Sequence, residues 1–336
     1  MPGVFAGGTV SARAVIEIGT NSIKLLVMEL RSDGADVMAD RNEIARLGEG
    51  AAASGWLSEA AIDRAMPVIA DMADEARSLG CESPLAVATQ AVRAASNAED
   101  FKKRVKRECG VDLNVISGEE EADLSFRAVL SALPASVARI CAFDVGGGSS
   151  EIVAGNDGGV AYRRSVPVGA LSLHDEFFSG AGESGPVSGE ILEAAAGKVR
   201  TALRDEAQGG LDEIPGACGA AVAGVGGTIT TLAAVTLQAE PYDASKVSGT
   251  KLSARELSRQ IKLFAETSVP DRARIKGLNP KRADIILAGA CIVRELIDYA
   301  RADGLIALDR GLRYGVMEKY FGLKAESYYV PGKRLV

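Results

Sequence analysis

IEIGTNSIKLLV at residues 16–27 and FDVGGGSSEIVA at residues 143–154 are one pattern written twice. Each runs apolar, acid, apolar, Gly, two small or polar residues, Ser, one more residue, then a charge and an apolar run. Apolar runs bounded by Gly and Ser read as strand, tight turn, strand, with Glu17 or Asp144 at the end of the first strand. A third strand is predicted after each hairpin, at Val37–Ile44 and at Val160–Val166.

Helices alternating with short strands follow both hairpins. Ser58 is expected to cap a helix to about Ser78, with Ile62, Met66, Ile69, Ala73 and Ala76 on one face, a kink at Pro67 and an end near Gly80. A strand at Leu85–Ala88 precedes a helix to Cys109 that Asn97 is expected to cap. Leu113–Ile116 reads as a strand leading through Gly118 into another helix. In the second half the pattern predicts helices at Ser188–Glu206, Thr228–Thr236, Ala254–Glu266, Lys281–Ala300 and Leu312–Phe321. Strands are predicted at Ala220–Val225 and Leu305–Ala307. Ser179–Gly189 and Ala207–Gly219 read as surface loops, and the polar tail from Lys324 as partly ordered at best.

Two facing turns, each with an acid and a Gly-rich backbone, suit phosphate and a metal. Glycines admit close approach of the backbone, and successive N–H groups form a concavity for anions. Acids at the strand ends can hold a divalent cation. Gly224-Val225-Gly226-Gly227-Thr228 adds a third Gly turn between a strand and a helix start, a setting that suits phosphate equally.

Composition narrows the classes. The 336 residues are 47% hydrophobic and 25% charged, enough for two ordinary domains with buried cores. A net charge of −7 argues against general nucleic-acid or membrane-surface binding, though a local basic cluster can still hold a polyanion. Cys81, Cys109, Cys141, Cys218 and Cys291 are scattered, as expected for buried free thiols in a reducing cytosol. The lone His174 removes polyhistidine metal sites, and is expected in a surface or core role rather than in catalysis. No run of 18 apolar residues and no signal-peptide pattern is read, so a cytoplasmic location is expected.

IGTNSIKLLV at Ile18, ATQAVRAASN at Ala88, ISGEEEA at Ile116, DVGGGSSEIV at Asp144, GVGGTITTLAAV at Gly224, KRADIILAGA at Lys281 and LDRGLRYGVM at Leu308 together resemble the exopolyphosphatase/guanosine pentaphosphate phosphohydrolase (Ppx/GppA) family, in its short two-domain form. The resemblance spans about residues 14 to 321. It implies an α/β fold of two ribonuclease H-like domains of the actin/hexokinase/Hsp70 superfamily with a cleft between them. The domains are drawn at residues 1–135 and 136–323 with a tail at 324–336, a hinge near Leu133–Arg139, and room for the last helix to pack back near the first domain.

The implied activity is metal-dependent removal of the terminal phosphate of polyphosphate, favouring short chains. Guanosine pentaphosphate hydrolysis, or a non-catalytic sensor of polyphosphate or alarmone, is the alternative. By resemblance, phosphate falls to Gly19, Thr20, Asn21 and Ser22, to Gly146, Gly147, Gly148 and Ser149, to Gly226, Gly227 and Thr228, and to Arg93. Mg²⁺ or Mn²⁺ falls to Asp144 and Glu151, with Glu17 standing where the family usually has Asp. The catalytic glutamate is Glu121, with Glu120 second; Glu119 reads as a solvated helix start. Lys24, Arg163, Arg164, Arg272, Lys276 and Arg282 are further basic candidates for the cleft. No nucleic-acid or membrane partner is expected, and a homodimer is left open.

Overall fold

The computed structural model describes residues 11–31, 34–133, 137, 139–180, 185–207, 220–322 and 328–329. Among the described residues twelve strands form two six-stranded sheets. They are β1 (Ser11–Ile18), β2 (Ser22–Arg31), β3 (Gly34–Ile44), β4 (Leu85–Ala88), β5 (Leu113–Val115), β6 (Ile140–Val145), β7 (Ser150–Asn156), β8 (Gly159–Val166), β9 (Ala221–Val225), β10 (Lys251–Ser253), β11 (Gly304–Ala307) and β12 (Tyr328–Tyr329). The first sheet runs β12-β3-β2-β1-β4-β5 and the second β8-β7-β6-β9-β11-β10.

The duplication in the sequence is thus a duplication of topology. In each half a hairpin and its third strand are antiparallel, and the next strand lies parallel to the first, β4 on β1 and β9 on β6. Two mixed sheets with helices make the two-domain α/β fold that the resemblance implies. Ile16, Ile18 and Leu25 of the first sheet pack on Ile69 and Phe101 of its helices. Phe143 and Ile152 of the second pack with Val199, Leu257 and Phe264.

Local signals hold at most helix starts. Ser58 Oγ accepts from Ala61 N at 3.2 Å, and Ser117 Oγ from Glu120 N at 3.1 Å, satisfying amides that have no partner within the helix. Two expectations are corrected. Asn97 precedes the helix Ala98–Cys109 but does not cap it with its side chain. Its amide instead accepts from Leu57 N at 3.0 Å and donates to Leu57 O at 2.9 Å, tying down the loop before the helix Glu59–Ser78. The helix predicted from Lys281 starts later. Pro280–Arg282 form a 3₁₀ turn and the α-helix runs Ile286–Tyr299. Asn279 Oδ1 accepts from Lys281 N at 3.0 Å and fixes that turn. A helix Ala170–Phe177, not read from the sequence, follows β8.

Two helices cross between the sheets. The helix Gly118–Ala132 follows β5 of the first sheet, yet places Ala122, Phe126 and Val129 against Ala142, Val153 and Ala223 of the second. The final helix Leu312–Phe321 follows β11 of the second sheet and packs Leu312, Val316 and Met317 with Val15, Leu26 and Val87 of the first. They touch at Gly315, where a Cβ would fall 1.9 Å from the Leu124 carbonyl oxygen. The hinge drawn at Leu133–Arg139 falls largely on residues 134–136 and 138, outside the described residues, as do residues 208–219 with Cys218 and most of the tail. Cys81, Cys109, Cys141 and Cys291 are buried free thiols.

Candidate active site

The β1–β2 and β6–β7 turns meet face to face. A Cβ on Gly147 would lie 2.8 Å from Asn21 Cβ, and one on Gly148 2.6 Å from Thr20 Oγ1, so only glycine allows this approach. Within each turn one amide is used internally: Gly19 N donates to Ser22 O and Gly146 N to Ser149 O, both at 3.0 Å. The amides of Thr20, Asn21, Gly147 and Gly148 make no such turn bond. Both polar atoms of the Asn21 side chain are buried without a partner.

Between the turns lies a cavity of about 50 Å³. Every expected turn residue lines it: Gly19 to Ser22, Gly146 to Ser149, and Gly226, Gly227 and Thr228. So do Glu17, Lys24, Thr89, Glu121, Asp144 and Arg282. The Glu-Glu-Glu run divides cleanly. Glu121 is 7% exposed and faces the cavity, while Glu120 is held on the surface by Lys319 Nζ at 2.6 Å and Tyr320 Oη at 3.2 Å. Glu119 pairs with Arg163 at 3.4 Å.

Arg93 does not line the cavity. Its guanidinium donates to Glu121 Oε2 at 3.0 Å, Ile116 O at 2.8 Å and Gln90 Oε1 at 2.7 Å, so it orients Glu121. Besides Lys24, which is paired with Glu17, the cavity is lined by the cation Arg282, 5% exposed, whose Nη2 has no hydrogen-bond partner among the described residues. Its guanidinium lies over Gly227, where a Cβ would meet it at 2.3 Å. Burial pulls its pKa down to about 10, still cationic at neutral pH. The signal was the basic pair in KRADIILAGA, and the 3₁₀ turn is what aims Arg282 inward. Thr89, at the end of β4, was not singled out at all. Arg163 and Arg164 are turned elsewhere, Arg163 to Glu119 and Asp123 and Arg164 over the Tyr162 ring.

The acids are under electrostatic pressure. Burial, opposed by Arg93, raises the Glu121 carboxyl from its ordinary 4.5 to about 7. Burial also raises Asp144, although Lys24 and a 2.6 Å bond from Ser125 Oγ work against it. Glu151, 1% exposed, is pushed well above the carboxylate range by burial and then by the charges of Glu121 and Asp144. Its Oε1 accepts from Ser149 and Ser165, each at 2.8 Å.

The three acids expected to hold a metal are not equivalent. Among the described residues no three His, Cys, Asp or Glu side chains gather as a metal cage. Asp144 and Glu17 line the cavity; Glu151 does not. Glu17 Oε1 is taken by Lys24 Nζ at 2.5 Å, leaving Oε2 buried and unpartnered. These hard oxygen donors fit a cation that draws most of its shell from water and substrate phosphates, the usual manner of Mg²⁺, and do not fit an all-protein cage.

Two facing Gly turns with acids at their strand ends, in duplicated sheets, define a two-sheet α/β protein with a polar cavity between the turns. The chain belongs to the Ppx/GppA phosphatase family, whose model matches residues 26–322. It is 32% identical over 311 residues to Exopolyphosphatase 1 of Mycobacterium tuberculosis, covering 87% of this chain and 86% of that one. It is 30% identical over 304 residues to a bifunctional 3-dehydroquinate synthase/phosphatase of Fusobacterium nucleatum, covering 88% of this chain but only 44% of that longer protein. The crystal structure of an exopolyphosphatase from Cytophaga hutchinsonii superposes with a TM-score of 0.82 at 25% identity, covering 94% of this chain and 99% of that one. Among the described residues no helix is long and apolar enough to cross a membrane.

Proposed function

We propose that this protein hydrolyses the terminal phosphoanhydride of inorganic polyphosphate, releasing orthophosphate and a chain one unit shorter. The observation that carries the reading is Glu121: a buried carboxyl with a pKa near 7, facing a phosphate-sized cavity between two turns with spare amides. The names of the relatives support the substrate class.

In this reading the terminal phosphoryl group sits between the turns. The amides of Thr20, Asn21, Gly147 and Gly148 donate to its oxygens, with the Asn21 amide and Arg282 as further donors. Glu121 accepts a proton from water as the water oxygen bonds to phosphorus and the bridging oxygen leaves with the shortened chain. Arg93 fixes the carboxylate that does this. Mg²⁺, or Mn²⁺, would be held by Asp144 and Glu17 together with the substrate, and when bound supplies neutralisation of the phosphate charge. Glu151 would support Ser149 and the charge balance from beneath. The small cavity favours short chains, whose affinity comes from few phosphates. Buried free thiols suit a reducing cytosol.

The test is phosphate release from tripolyphosphate, long polyphosphate, guanosine pentaphosphate and ATP, with Mg²⁺ or Mn²⁺ and after chelation. Metal-dependent release from polyphosphate, best on short chains compared per chain end, is expected. Faster turnover of guanosine pentaphosphate would reassign the substrate. No release from any of them would make the protein a binding sensor.

A further inference from the structure

A larger pocket, about 300 Å³, lies beside the candidate active site and is not used by the mechanism. Arg46, His174, Arg272, Lys281 and Asp284 line it, with Phe178, Val269 and Pro280 as apolar walls. Three cations face one lining carboxylate. Burial lowers the His174 pKa, so the imidazole is neutral at pH 7, and its Nδ1 is buried without a partner.

Arg272 is the decisive residue. It is 1% exposed, and among the described residues no carboxylate forms an ion pair with it. Its Nε donates to Phe264 O at 2.6 Å and Thr267 O at 2.9 Å, and Nη1 to Ala283 O at 3.4 Å. Nη2 donates to nothing. A buried guanidinium held rigidly by three carbonyls, with a spare donor at a pocket wall, is a built anion donor; leaving such a group unmatched is costly. Asp284 is occupied by Arg46 at 2.6 Å, and Lys281 reaches only Glu43, at 3.4 Å and outside the lining.

We propose that this pocket is a second anion site that takes a phosphoryl group. The turn Pro280–Arg282 is the partition: Lys281 lines this pocket and its neighbour Arg282 the catalytic one. Arg46 comes from the first half of the chain and Arg272, Lys281 and Asp284 from the second, so an occupant bridges the halves. The phosphoryl group has two sources. Resting on the function proposed above, it belongs to the distal end of a polyphosphate whose terminus is in the catalytic cavity. Independently of that function, it is free orthophosphate.

Equilibrium dialysis of the full chain against radiolabelled orthophosphate up to millimolar concentration separates the cases. Wild type should bind two equivalents, Arg282→Met should lose one, and Arg272→Met the other. Lys281→Ala, whose side chain is mostly exposed and whose folding is checked by thermal melting, should weaken only the second by roughly tenfold. A tenfold larger rise in KM for long chains than for tripolyphosphate in Lys281→Ala, with kcat kept, assigns the occupant as distal phosphate. An unmoved KM with a weakened second orthophosphate assigns free orthophosphate. One equivalent in wild type, or a second equivalent indifferent to both Arg272→Met and Lys281→Ala, overturns the site. Should Arg272→Met fail to fold, an unchanged second equivalent in Lys281→Ala is enough to overturn it. The stoichiometry stands even if no substrate is hydrolysed, so failure of the enzymatic reading is a distinct result.

Discussion

Across the first hairpin Glu17 faces Lys24; across the second, Asp144 faces Glu151. Directly opposed residues of an antiparallel pair share a face, so these two positions decide the local charge. In the first hairpin an acid and a base close into an ion pair at 2.5 Å. In the second, two acids stand together and both are driven toward their protonated forms. One backbone therefore carries a neutral clasp on one side of the cavity and an acid store, with Glu121 beside it, on the other. The two copies of the hairpin thus differ in charge at a single opposed pair.

The acid side should dominate the reaction. Glu121→Gln is expected to cut kcat by roughly 10²–10⁴-fold, the usual loss of a general base, while Glu120→Gln stays near wild type because its carboxylate is engaged by Lys319 and Tyr320. Steady-state phosphate release checks both; equal losses would undo the division within the Glu run. Asp144→Asn should lower activity by about 10–100-fold or more, partly rescued by raised Mg²⁺. A metal titration of the variant that leaves both activity and metal dependence unchanged would move the metal away from the second hairpin.

The pH dependence has a definite sign. Glu121 must be ionised to accept a proton, so kcat should rise with pH through about 7. Arg93→Met removes the cation that favours the charged form and should move this limb upward, which a pH–rate profile reads directly. Stability runs the other way. A carboxyl raised from 4.5 to about 7 binds its proton more tightly in the folded chain. Glu121 therefore erodes stability as pH climbs from about 4.5 through about 7, measurable by urea melts at fixed pH.

The last test, on stability rather than turnover, bears most directly on the comparison. Lys24→Met makes the first hairpin acid-only, like the second. Leaving Glu17 buried and unpaired should cost about 3–5 kcal/mol in a urea melt, and the Glu17→Gln/Lys24→Met double variant should recover most of it. A double variant no better than the single would mean that the pair is not coupled.

The hairpins, their third strands and most of the longer helices were legible because alternation, Gly turns and Ser caps act locally. The Gly turns that line the cavity were legible in the same way, and Glu121 through the resemblance, whereas Thr89 was not. What was not legible depends on contacts distant in sequence. Asn97 caps nothing because Leu57, 40 residues away, offers its amide two backbone bonds. Arg93 serves Glu121 rather than the cavity, and Arg282 takes the inward place only because a 3₁₀ turn delays its helix. The role of Lys24 needed the strand register, which pairs it with Glu17.

The two crossing helices have a consequence for how the chain comes apart. Each sheet is roofed by a helix that the other half supplies in sequence, and Gly315 presses the two helices together backbone to backbone. Peeling either half away exposes apolar surface on both, so neither is a self-sufficient folding unit. Denaturation should register as a single sigmoidal transition in far-ultraviolet circular dichroism and tryptophan fluorescence alike, with the N-terminal half waiting for the helix Leu312–Phe321 before it is complete.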